Sequence, residues 1–407
     1  MRIPGRIRAV AGDSVPYGPS DNAPVRGRRP QRSRTGEGPS TMAKKKYDVN
    51  APGAKALIDE IVHGTFMKEG TMVAFPTCFP GASVPIPADE SRITALDITP
   101  EGIVYGGTSG RAAHLFVGMF HGVTGVVFDL GAVEGARQCT AVCCGRSRVV
   151  ACVNDADGGR LVACPLQGLP FDLIQEWGFA RSPLDDWGRP AAGEPILHAL
   201  ADASRSKLIG ITAGHVFMAD LHEGKPQVVG AIEGAGRLAI GPAGGVFGLD
   251  GDRHLWRFDP RNGSLERRAV ALPAGTWDKA GLRWARDASS GLLYTADAGG
   301  NLYAFADERA FAGPLGRVPL APVGPMAVTH DGRLFGFCGS ELARMFCYDP
   351  HRKQVRNLGV AVSVFERRRY GYVFGDAVTG RDGEIVFGED DDLGHVWLYF
   401  PRIEPRT

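Results

Sequence analysis

The sequence predicts an all-β protein built as a ring of seven four-stranded sheets, and three observations predict it. Glycine is 56 of 407 residues, about twice the ~7% of ordinary proteins, yet Gly and Pro together stay below the ~25–30% that marks disorder, so the excess belongs to turns. Two short apolar triplets recur in the same order seven times. The stretches that carry them, such as GGVFGLDGDRHLWRFDP, hold no amphipathic run long enough for helical repeats of the same period.

The chain opens on a basic leader. Residues 1–46 carry a net charge of +8 and the remainder −7, within a total of +1. An apolar-poor, basic segment buries too little to fold, so 1–46 is expected to be a disordered leader. TMAKKKYDVN around Met42 reads like an internal translation start. No apolar run has the 7 to 15 residues of a signal peptide's centre, and none approaches the ~18 of a membrane span. A cytoplasmic protein with no membrane contact is therefore expected. The mildly acidic body gives no electrostatic reason to bind nucleic acid, and a monomer is expected.

Residues 47–70 read as one short helix and a linker. Pro52 suits a first helical turn, and Ala54, Leu57, Ile58 and Ile61 share a face. The repeat region follows, 71–402. Its paired triplets are VYG at 104 with HLF at 114, VVA at 149 with RLV at 160, and LIG at 208 with HVF at 215. Next come VFG at 246 with HLW at 254, LYT at 293 with NLY at 301, LFG at 334 with RMF at 344, and VFG at 386 with HVW at 395. An alanine precedes each first triplet: Ala95, Ala141, Ala199, Ala239, Ala285, Ala327 and Ala377. Turn signals such as PEG, PAGG, SSG, HDG and RDG separate alanine from triplet. Each unit reads strand, turn, strand, loop, strand, with room for a fourth, and the small residue in every innermost strand implies tight packing near the axis.

A period of ~40–50 residues with four short strands resembles a seven-bladed β-propeller of four-stranded blades, in the broad group that includes WD40-like and quinoprotein-like domains. The Gly-His and Trp-Asp pairs of true WD40 repeats are absent. After HVWLYF only PRIEPRT remains, so the seventh blade lacks its outermost strand. An open edge invites aggregation, so an N-terminal strand, TMVAFPT from Thr71 or ASVPIP from Ala82, is expected to close the ring.

Several residue groups invite a metal reading and do not sustain it. His114, His215, His254 and His395 share one slot, but on third strands of different blades they cannot converge on one ion. Glu389, Asp390, Asp391 and Asp392 lack calcium-loop spacing. Asp155, Asp250, Asp297 and Asp390 follow the second strand, where a short acid bonds its own turn. Eight cysteines without an export signal read as free thiols, the five between Cys139 and Cys164 as small buried residues. No cofactor and no metal are expected.

Position is the remaining guide, because propeller ligands meet the mouth of the central channel. The residues just before the alanine column include His198, Trp284 and Asp376, with Arg92, Arg237 and Arg283 a step or two further out. Two long connections, from Phe179 and from Ser363, add Trp187, Arg369, Tyr370 and Tyr372. These ten residues form the expected site. Arginines suit a carboxylate, aromatics stack on sugar rings, and His198 with Tyr372 could serve as base and acid of a lyase on an acidic saccharide. The alternative is a non-catalytic protein-interaction scaffold, with the same side chains as binding hot spots. Convergence on one funnel favours a small ligand; spread over a flat face favours a protein partner.

Overall fold

In a computed structural model of the chain, Lys55 and residues 67–77, 86–166, 184–233, 235–251, 253–277, 282–306, 309–364 and 369–402 are described. The leader 1–46 and, apart from Lys55, the helix expected from Pro52 lie outside the described residues. Residues from Lys55 onward belong to one compact unit.

Seven antiparallel four-stranded sheets make up this unit, as the repeat predicts. Their innermost strands are Arg92–Ile98, Gln138–Cys144, Ile196–Ala201, Ala239–Ile240, Trp284–Arg286, Val323–Val328 and Phe374–Thr379. Arg92–Ile98 touches both Gln138–Cys144 and Phe374–Thr379, which closes the ring. The closing strand is Thr71–Pro76, paired antiparallel with His395–Phe400 so that Thr71 faces Phe400 and Pro76 faces His395. ASVPIP does not serve: its described end, Ile86 and Pro87, leads into a short 3-10 turn, Ala88–Glu90. Among the described residues no helix is long and apolar enough to cross a membrane.

The apolar side chains fall into seven clusters, one at each junction of neighbouring blades. A blade therefore buries both faces, and its inner strands read as continuous apolar runs rather than alternating ones. The paired triplets have a steric origin. Gly106, Gly210, Gly248 and Gly336 lie directly opposite Phe116, Phe217, Trp256 and Phe346. A Cβ at Gly106 would come 2.1 Å from the Phe116 ring, and one at Gly210 2.3 Å from that of Phe217. The small residue of the second strand makes room for the bulky one of the third. In blade 7 the register slips, so that Gly388 faces Val396 and its missing Cβ accommodates Ile93.

The column alanines pack between blades, all buried except Ala377, which is partly so. The acids after the second strand divide. Asp155 and Asp297 bond their own turns, at Asp157 N–H and Gly299 N–H. Asp250 and Asp390 instead pair with Arg267 and Arg92, which corrects the turn assignment for these two. Seven of the cysteines are described; all are free and buried, and burial pushes the Cys139 thiol up to about 12.

Removing residues 1–80 deletes Thr71–Pro76 and leaves His395–Phe400 as an open edge, so that variant should aggregate in light scattering where a chain lacking 1–41 stays dispersed. Gly248→Ala places a Cβ 2.3 Å from Trp256 and should cost ~1–3 kcal/mol by overpacking, read from denaturant unfolding.

Candidate ligand site in the central channel

The innermost strands carry the site because their backbone is irregular where they enter the lumen. Register breaks occur at Ile93/Ala95, Cys139/Ala141, Ile196/His198, Val323/Met326 and Phe374/Asp376. An inserted residue drops out of the ladder and leaves its backbone groups unpaired. In blades 1 and 7 the inserted residues are Thr94 and Gly375, and two arginines take their freed carbonyls. Arg237 Nη2 donates to Gly375 O at 2.9 Å and Thr94 O at 3.3 Å; Arg283 Nη1 donates to Gly375 O at 2.5 Å. No other residue fits at position 375, where a Cβ would stand 2.3 Å from Ile93 O.

Arg237 also pairs with Asp376 at 2.5 Å, and Asp376 accepts the Leu96 N–H at 2.8 Å with its second oxygen. Trp284 Nε1 donates to Arg237 O at 3.1 Å. Arg237 thus reaches from blade 4 to blades 7 and 1, a crossbar over the lumen with a cavity on either side of it. The mouth cavity, about 450 Å³, is lined by Arg92, Thr94, Ser109, Gln138 and Thr140 with Arg137. The second, about 410 Å³, runs toward the first turns of the blades, past His198, Trp284 and Arg286. Both touch Arg237.

Burial and the neighbouring Arg237 guanidinium push Arg283 down to about 9, so it stays charged at neutral pH. Burial first, then Arg237 and Arg283, holds His198 well below the ordinary imidazole range. Its Nδ1 accepts the Leu238 N–H at 3.2 Å. The neutral ring that accepts there carries its proton on Nε2, so His198 has no lone pair free for a base.

Arg92, Arg237, Arg283, His198, Trp284 and Asp376 converge on the channel. Arg283 reaches Gly375 O but lines neither cavity, and the other four expected residues line neither as well. Trp187 lies in the outermost strand of blade 2, Asp185–Gly188, against Gly224. Arg369 donates to Glu389 and to Leu393 O, both at 2.9 Å. Tyr370 bridges Val362, and Tyr372 is 51% exposed. His198 and Tyr372 therefore do not share a cavity. Arg137 and Arg286 went unnoticed in the sequence. Arg137 stands four residues before its column alanine, where Arg92 is three before Ala95, so an arginine-before-alanine count would have found it. Nothing marks Arg286.

The shared histidine slot is structural where it is filled by a paired ring. His114 lies between Glu90 at 2.9 Å and Asp129 at 3.1 Å. His215 meets Glu194 at 3.0 Å, and His395 meets Glu389 at 3.4 Å. Among the described residues no group of three or more His, Cys, Asp or Glu is placed to hold a metal ion.

No family model matches the chain, and no curated protein matches it. Solved structures do match. One is the extracellular domain of a B. thetaiotaomicron protein described as a one component system, with TM-score 0.51 and 11% identity over 84% of this chain and 40% of that one. Another, from the same organism, is described as a hybrid two component system, with TM-score 0.52 and 10% identity over 83% of this chain and 40% of that one. The chain thus spans 40% of the length of either. At such identity the likeness establishes the fold alone, a seven-bladed propeller.

His198 yields a pH test. Its folded pKa lies below the 6.5 of the free side chain, so below about pH 6.5 the unfolded chain binds a proton that the folded one refuses. Stability should fall as pH drops through that window and level off only below the folded pKa. His198→Asn, which keeps an acceptor for Leu238 N–H and cannot titrate, should flatten that part of the melting-temperature profile relative to the parent.

Proposed function

We propose that the protein is a ligand-binding propeller whose mouth cavity takes a small carboxylate-bearing, hydroxyl-rich molecule of the acidic-saccharide kind. The observation that carries this reading is Arg137. It is an exposed residue that lines the mouth cavity with Arg92, and among the described residues no acceptor pairs with its guanidinium. Arg92, by contrast, is held by Asp390 at 2.9 Å. An arginine with free donors at a cavity wall matches a carboxylate in a two-pronged geometry. Thr94, Ser109, Gln138 and Thr140 supply hydroxyl and amide groups for a sugar's hydroxyls.

The concave lining, to which Arg92 and Arg237 of the expected residues contribute, favours this reading over a flat protein-binding face. Binding is also favoured over turnover. A lyase needs a base and an acid on one substrate, whereas His198 lines the second cavity with its Nδ1 committed to Leu238 N–H and Tyr372 lines neither cavity.

Calorimetric titration of the full chain with D-glucuronate and with D-glucose tests the proposal. Glucuronate should bind at least tenfold more tightly than glucose, and Arg137→Ala should weaken it by tenfold or more, as loss of a charged hydrogen bond of ~1.5–3 kcal/mol requires. Equal binding of the two sugars, or no effect of the substitution, would overturn it. Release of an unsaturated product from a uronate oligosaccharide would overturn the preference for binding over turnover.

A further inference from the structure

The charged groups at the crossbar cancel in pairs, with one exception. Arg92 meets Asp390 at 2.9 Å, and Arg237 meets Asp376 at 2.5 Å. Burial, with Arg237 and Arg283 nearby, keeps His198 neutral. Arg283 is left over. Among the described residues its guanidinium has one hydrogen-bond partner, the Gly375 carbonyl at 2.5 Å, and Asp376 and Asp390 act on it only through space. Arg237 donates to the same carbonyl at 2.9 Å, so two cations converge on one neutral oxygen. A guanidinium taken out of water is costly unless an opposite charge meets it, and a carbonyl does not supply that charge.

Arg283 is deep but not sealed. Burial and the Arg237 guanidinium push it down to about 9, yet the residue keeps part of its surface accessible, and none of its nitrogens is both closed off from solvent and without a partner. The N–H groups that Gly375 leaves free are therefore open to solvent. Arg283 lines neither of the cavities of about 450 and 410 Å³ beside the crossbar, so the room at these donors suits an ion rather than a sugar. We propose that the crossbar holds a small, singly charged inorganic anion of the halide kind against the Arg283 guanidinium. One unit of charge is what the paired groups leave uncompensated. A spherical ion asks for no partner beyond the free N–H donors, and it offsets the repulsion between Arg283 and Arg237. The site does not depend on what occupies the mouth.

Chloride serves as the probe. At constant ionic strength the chloride NMR line should broaden when the full chain is added, and bromide should reverse the broadening by competition. Arg283→Met should weaken chloride binding by about tenfold or more, the scale of one lost charged hydrogen bond, whereas Arg283→Lys, which keeps the charge, should still broaden the line. Arg137→Ala and saturating D-glucuronate should leave the broadening unchanged. Chloride should raise the melting temperature of the parent and not that of Arg283→Met. In halide-free buffer Arg283→Met should melt no lower than the parent, because an uncompensated cation is gone; a lower value would mean that the protein itself compensates Arg283 and would overturn the site. Crystals grown with bromide should show anomalous density at the Arg283 guanidinium, a readout that needs no variant. No broadening, broadening that survives Arg283→Met, its loss on Arg137→Ala, displacement by glucuronate, or the absence of bromide at Arg283 would each overturn the proposal. Failure of glucuronate to bind would overturn the mouth reading and leave this one standing.

Discussion

The six residue pairs between Thr71–Pro76 and His395–Phe400 are the constraint on which the molecule depends. Each blade has two apolar faces and so needs two neighbours, a condition that a row of blades fails at both ends and a ring meets everywhere. The closing strand supplies blade 7 with its outermost strand, and it also places Met72 and Ala74 in the cluster that joins blades 6 and 7. Backbone pairing and side-chain burial are therefore lost together if it leaves. Ring closure is also what brings Arg92–Ile98 against Phe374–Thr379 and creates the lumen.

Charged groups then act as ties between elements that the hydrophobic clusters alone would leave free to slide. Glu194 accepts from Thr212 and from Gly214 N–H at 2.9 Å while meeting His215. Glu389, wholly buried, holds Arg369, His395 and Trp397; burial would raise its pKa, but these partners outweigh it and keep the carboxylate below its usual range. A buried carboxylate without such donors would be costly.

The same logic explains why the channel is hard to read as chemistry. Asp97, Asp376 and His198 each accept a backbone N–H from the next blade, at Cys144, Leu96 and Leu238. Residues that look reactive in the sequence are inter-blade ties, and the crossbar arginines satisfy carbonyls released by irregular strands. Donors to spare remain on Arg137 and Arg286, on opposite sides of that crossbar, and on Arg283 beside it.

The number of blades, their order, the triplets and the need for a closing strand were legible in the sequence, because each rests on local requirements: turn residues, strand-length apolar runs, and a small residue facing a bulky one such as Gly248 and Trp256. Arg92, Arg237, Arg283, His198, Trp284 and Asp376 lie in or beside the innermost strands, as their offset from the column alanines implies, since an innermost strand fixes which residues stand near the lumen. Trp187, Arg369, Tyr370 and Tyr372 line neither cavity, because a long connection can fold back as an outer strand, as Asp185–Gly188 does, and loop length carries no direction. The tertiary structure alone decided that Arg237 reaches Asp376 across three blades, that Gly375 frees its carbonyl, and that His198 gives its lone pair to Leu238. Those contacts join positions 40 to 140 residues apart, and no local pattern encodes a partner on the far side of a ring.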